Sequence, residues 1–346
     1  MTTTLQKLEM EQQSDDWHAL FRQLDVDNDG FLDLNTLKAA VNESASSMGL
    51  TREEADYLCW MPTRTTTRTS TSESSASLMA KVKRLHLTRL MVYAARSVVH
   101  KKAQPEACRY MLQYNLLPPP LFMILISVVQ VAIYLYYTFE KGGTFSAVGP
   151  VPIHSIFILD PHRKAEFWRF FTYMFIHVGY THLIVNVVVQ LILGLPLELV
   201  HKLWRIGGLY ILGVFSGAIL VMAVDPNVYL GGASGGVYTM LTAHVSNLIL
   251  NWSDMEFHWV RAAIIAVLIS TDVGVAVYQR YFAGVANRIS YVSHLGGAIA
   301  GILLGIVLLR NLRWKKWEVY AWWMALVAYI LFVAVCLIII YSPLLF

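Results

Sequence analysis

Charged side chains are scarce in this chain. Asp, Glu, Lys and Arg make up 14% of its 346 residues, whereas a soluble globular domain carries roughly 25%. Neither sign dominates, and a formal net charge of +4 defines no partner. The basic residues have no aromatic residues interleaved among them, so nucleic-acid binding is not expected. Cysteine is nearly absent. Cys59, Cys108 and Cys336 lie far apart, match no metal-ligand spacing and leave an odd count, which gives no disulfide framework. No apolar run lies close to Met1, so no secretory signal peptide is expected. Apolar residues are what the chain has in abundance, at 56%. They are concentrated beyond residue 116, in runs long enough to cross a bilayer, which takes about 20 residues each. The fold class expected is all-α: a polytopic bundle of membrane helices behind a small polar region.

That polar region divides further. The stretch Asp25-Val26-Asp27-Asn28-Asp29-Gly30-Phe31-Leu32-Asp33-Leu34-Asn35-Thr36 has the pattern of an EF-hand loop. Hard oxygen ligands stand at positions one, three and five (Asp25, Asp27, Asp29), and Gly30 supplies the turn at position six. Phe31 would offer its carbonyl and Asp33 a carboxylate, often through water. Position twelve departs from the pattern: a bidentate Glu is expected there, and the chain has Thr36. That change removes two oxygens and a charge, so calcium binding at the weak end of the range and a loop that folds but binds little both stay open. No second loop to pair with it is evident. The domains read as 1–60, EF-hand-like; 61–80, a linker of mostly Ser, Thr and Arg; 81–116, a basic segment suited to anionic lipid or to a solvated helix face; and 117–342, the membrane domain.

Seven spans are expected, at 118–138, 179–199, 204–224, 232–251, 257–278, 289–309 and 319–341. Lys and Arg flank the first span on its N-terminal side and lie between spans two and three and between six and seven. The positive-inside rule then places the N-terminus in the cytosol and the C-terminus outside or in a lumen. Spans two, four and six would all start at the outer side. His182 and Asn186 lie in the first two turns of span two, Ser234 in the first turn of span four and His294 in the second turn of span six. At 1.5 Å per residue, all four fall within about 10 Å of one depth. Polar and ionisable residues inside membrane spans are functional candidates by default.

Ser234 sits in Gly231-Gly232-Ala233-Ser234-Gly235-Gly236-Val237-Tyr238. A serine hydroxyl attacks well only when a base takes its proton, and histidine is the usual base near neutral pH. Gly232 lets backbone and substrate approach closely. The helix start at Ser234 leaves unpaired amides that suit a developing oxyanion. His182 and Asn186, four apart, share a helix face and would add donors. Tyr238, four after Ser234, would pack on the His294 ring. Gly297, Gly301 and Gly305 form a strip of small residues after His294 against which span four would pack. Asp225, Asp254 and Asp272 are read as lying in or near loops, so a two-residue Ser–His pair is expected, with no cofactor for catalysis.

Taken together, these motifs resemble the rhomboid intramembrane serine proteases over about residues 118–341. Gly232-Ala233-Ser234-Gly235 matches the family's GxSG nucleophile motif, and His294 its base. His177, His182 and Asn186 match its spaced His, His and Asn, and Trp168-Arg169 its Trp-Arg pair. Glu198 matches an acidic residue near the end of span two. Ser293 departs from the Ala common before the histidine, with little effect expected. The EF-hand-like loop and the seventh, C-terminal helix resemble the animal rhomboid-related subgroup. The resemblance implies a six-helix core plus that seventh helix, Ser234 as nucleophile and His294 as base. It also implies His182, Asn186 and the Ser234 amide at the oxyanion, and Trp168 and Arg169 in structural or lipid-facing roles. The implied substrates are single-span membrane proteins, cut in or near their transmembrane segments, at the plasma membrane or in the secretory pathway. A non-catalytic, client-binding relative of the proteases is the alternative, and the intact Ser234–His294 pair stands against it.

Overall fold

The computed structural model describes residues 31–33, 68–70 and 120–342, without 141, 143–144, 148, 150, 253–254, 256, 283–290 and 310–315. The candidate calcium ligands Asp25, Asp27 and Asp29 and the basic segment 81–116 lie outside these residues. The chain forms two compact units, Met1–Leu90 and Met91–Phe346.

In the first unit, strand β1 (Phe31–Asp33) pairs antiparallel with β2 (Arg68–Ser70), Leu32 opposite Thr69. β1 covers positions seven to nine of the EF-hand-like loop. β2 lies within the stretch expected as a linker; its central β-branched Thr69 suits a strand.

The second unit is helical. It contains α1 (Phe122–Glu140), the short α2 (Arg169–Thr172) with a 3₁₀ turn at Tyr173–Phe175, and then α3 (Gly179–His201) and α4 (Leu203–Val224). α5 (Ser234–Asn251), α6 (His258–Tyr281), α7 (Tyr291–Leu308) and α8 (Lys316–Tyr341) follow. Among the described residues, six helices are long and apolar enough to cross a membrane: α1, α3, α4, α7, α8 and α6 over His258–Val275. The expected fourth span, α5, is not one of them, for a physical reason. It is enclosed by other helices, so its polar residues meet protein rather than lipid. Thr239, Thr242, Ser246, Asn247 and Asn251 are all buried. Its 18 residues are still about 27 Å long, close to the hydrocarbon thickness.

The contact between α5 and α7 is backbone to backbone. A Cβ on Gly297 would collide with the Gly235 carbonyl, and one on Gly301 with the Thr239 backbone. One on Gly305 would lie 2.7 Å from Ser246 Oγ. Into this close approach α5 donates hydroxyl hydrogen bonds: Thr239 to Gly297 O (3.0 Å), Thr242 to Ala298 O (3.0 Å) and Ser246 to Ile302 O (2.8 Å). Small residues and interhelical hydrogen bonds join helices where lipid provides no hydrophobic drive.

Two further devices fix the bundle. Gln190 on α3 donates to Ser127 Oγ (2.7 Å) and Gln130 Oε1 (2.7 Å) on α1, and accepts from Tyr210 on α4 (2.9 Å). Glu198, near the end of α3, accepts the first amides of α1, from Phe122 (2.8 Å) and Met123 (3.0 Å). Those amides have no acceptor within their own helix, and a carboxylate is the best partner for them in an apolar surrounding. α3 and α4 are joined by Lys202 alone, with φ of 74°.

Candidate active site

The starts of α3, α5 and α7 converge at one end of the bundle. The segment leading into α5 is pinned first. Leu159 and Leu230 exchange both backbone bonds (3.0 and 3.1 Å), and the Gly232 amide donates to Tyr173 O (3.0 Å). The 155–159 segment that leads into this bridge is itself held by Arg169, the buried first residue of α2. Its guanidinium donates to Ser155 O (2.9 Å) and Ile158 O (2.7 Å) and pairs with Glu166 (2.6 Å). Trp168 faces outward, with its indole bonded to Ile156 O (3.3 Å). Arg169 thus shapes the loop, and Trp168 presents an aromatic surface.

Gly232 has φ of 134°, and a Cβ there would lie 2.7 Å from His182 Cε1. The missing side chain is what lets the His182 ring sit over the approach to Ser234. His177 lies under the same segment: its Nε2 accepts the Ala233 amide (3.4 Å), and its ring meets His182 edge-on at 5.4 Å. Burial, followed by the neighbouring His182, pushes the His177 pKa down to about 3, so the ring is neutral. Asn186 spends one amide hydrogen on His182 O (2.8 Å) and keeps the other.

Ser234 is the first residue of α5. The first helical bond at this end runs from Val237 to Ala233 O (3.1 Å), so the Ser234, Gly235 and Gly236 amides have no acceptor within the helix. One turn on, the Tyr238 ring stacks on the His294 ring at 4.4 Å and 14°. His294 is buried in the first turn of α7, and its Nε2 finds no hydrogen-bond partner among the described residues. Ser293, the preceding residue, is fully buried, with its hydroxyl 3.5 Å from Tyr173 OH.

One sequence expectation is corrected. Asp272 does not lie near a loop. It lies within α6, with Oδ2 3.1 Å from His294 Nδ1, and it also accepts the Tyr238 hydroxyl. The signal was present in the sequence as a lone carboxylate inside an apolar run. Depth along the spans that start at this end does not find it, because α6 returns to this end from the other. Among the described residues, no three His, Cys, Asp or Glu side chains gather as a metal ion would require.

Comparison of the sequence with known proteins matches the chain to a family. A Caenorhabditis elegans protein named Rhomboid-related protein 1 is 38% identical over 260 residues, 73% of each chain. Another from the same organism, named Inactive rhomboid-related protein 2, is 34% identical over 327 residues, 94% of each chain. The chain belongs to the rhomboid family. Human Rhomboid-related protein 3 is 31% identical over 349 residues, 92% of this chain and 86% of its own. The rhomboid domain itself matches residues 164–311. That range holds Arg169, His177, His182, Asn186, Ser234, Asp272 and His294; α1 and α8 of this rhomboid lie outside it.

Proposed function

We propose that the protein is an intramembrane serine protease that cleaves single-span membrane proteins in or near their transmembrane segments. The observation that carries this reading is His294 Nε2, a buried ring nitrogen without a hydrogen-bond partner among the described residues. It is presented from the start of α7, on a ring stacked one turn into the helix that Ser234 begins. In the proposed reaction, Ser234 Oγ attacks the scissile carbonyl as Nε2 takes its proton. His182, the second amide hydrogen of Asn186 and the Ser234 amide stabilise the oxyanion. Nε2 then gives the proton to the leaving amine, and a water molecule releases the acyl group by the reverse sequence. Ser234→Ala should end cleavage of a tagged single-span substrate in proteoliposomes, and labelling by a fluorophosphonate probe, with the fold retained. Cleavage surviving in that variant would refute the reading.

A second reading, a non-catalytic client-binding protein, is favoured by one comparison: the relative matching 94% of this chain carries the word inactive in its name. It predicts client capture with no probe on Ser234 of the wild type.

We propose the location and the regulation in the same way. The N-terminus is cytosolic, by the Lys and Arg distribution, and the membrane is the plasma membrane or one of the secretory pathway. The basic 81–116 segment contacts anionic lipid. The loop 25–36 binds calcium weakly through Asp25, Asp27, Asp29, Asp33 and the Phe31 carbonyl, and calcium modulates cleavage. Calorimetry on the full chain should show calcium heat that Asp25→Ala removes; no heat at millimolar calcium would leave the loop a structural module.

A further inference from the structure

Asp272 is the one acidic residue of α6. No side chain of the His258–Val275 stretch is buried within the protein, and Trp259, Ile264, Val267 and Val273 all point outward. A carboxylate in such a helix costs about 2.5–3.5 kcal/mol of membrane insertion. What it gains is two donors, Tyr238 OH and His294 Nδ1, on the same oxygen. An ionised carboxylate only accepts, so both protons lie on its partners. A neutral imidazole carries a single N–H. With that hydrogen on Nδ1, Nε2 holds the lone pair, and Nε2 is the buried nitrogen without a partner among the described residues. Tyr238 closes a triangle, stacking on the ring while bonding the same carboxylate.

We propose that Asp272 is a positioning residue for the base, holding His294 in the Nδ1–H tautomer so that Nε2 is the proton acceptor for Ser234. Its kinetic consequence rests on the protease reading above. As Ser234 attacks, its proton moves from Oγ to Nε2, and Nδ1 keeps its own. The imidazolium charge is balanced by Asp272, which stays ionised, and the Nε2 proton then leaves with the amine. The arrangement is thus a Ser–His pair steadied by a carboxylate from a third helix.

The test uses the full chain in nanodiscs near neutral pH, with ring ¹⁵N-labelled histidine. The wild-type His294 signals should report the Nδ1–H tautomer, and Asp272→Asn should move population to Nε2–H. An Nε2–H tautomer in the wild type, or no change in a folded Asp272→Asn variant, overturns the proposal. The wild-type spectrum alone decides if that variant does not fold. In parallel, Asp272→Asn should lower kcat and the Ser234 labelling rate roughly 100-fold with KM unchanged. It should add nothing in a His294→Ala background, and Asp272→Glu should restore part of the loss. An equal loss in both backgrounds marks Asp272 as a mere helix anchor and overturns the proposal. A wild type with the Nδ1–H tautomer but no label would sink the protease reading and leave the positioning of His294 standing.

Discussion

Gly232 shows how far a single residue decides this site. Its φ of 134° suits glycine, and the His182 ring fills the space where a Cβ would lie. Gly232→Ala should therefore strain the backbone by about 1–3 kcal/mol and push His182 off its place. Loss of Ser234 labelling, with thermal stability lowered only modestly, is the expected result; unchanged labelling would separate His182 from the proposed reaction. Ser234, His182, Asn186 and His294 were legible in the sequence as candidates because each is polar and stands near the start of an apolar run. Asp272 was not. It stands late in a run going the other way, and its role depends on a contact between helices that spacing along the chain does not reveal.

At the scale of helices, the glycine strip was the clearest sequence signal. Four-residue spacing alone identifies a smooth face, and the structure lays α5 along it. Because Gly297 meets backbone rather than a flexible side chain, Gly297→Ala cannot be relieved by a rotamer change. It should cost about 3 kcal/mol, the upper end for overpacking, read as a lower unfolding temperature in detergent. Glu198 makes a different element-scale prediction. Glu198→Ala leaves the Phe122 and Met123 amides of α1 without their acceptor and should cost about 1–3 kcal/mol. The same unfolding assay checks it, with Glu198→Gln falling between, since an amide offers one acceptor oxygen in place of two. What sequence did not disclose at this scale is the enclosure of α5 by its neighbours. A helix wrapped by its neighbours can carry Thr, Ser and Asn that a lipid-facing span cannot, and composition does not say which is which. The strand β2 was hidden in the same way, since a run of Thr and Ser reads as linker until a partner strand is seen.

For the whole molecule, the expected bundle and its family were legible from long apolar runs and a few spaced motifs, while its pH response needs coordinates. His177 is buried at the junction of the loop and the segment leading to Ser234, with its pKa held down to about 3 from the ordinary 6.5. The unfolded chain therefore binds a proton below about pH 6.5 that the folded protein refuses. Stability contributed by neutral His177 should be fully present above pH 6.5 and fall steadily as pH drops toward 3. Unfolding midpoints in detergent across pH 7.5 to 4.5 should show this decline. A folded His177→Gln variant should show a flatter one. A wild type equally stable over that range would contradict the burial assigned to His177.

The one-residue join at Lys202 has a mechanical meaning. α3 ends at His201 and α4 begins at Leu203, so the two helices share a fixed point and cannot slide past one another there. Any tilt of α3 would therefore turn about that point. His182 lies about 29 Å along α3 from it, so a tilt of about 5° would swing His182 through roughly 2.5 Å. In such a tilt the helix would act as a lever with its fulcrum at one face of the bundle and its tip at the other, braked by the Gln190 hydrogen bonds near its middle and by the bonds of Tyr180 and Thr181 to the preceding loop at its tip.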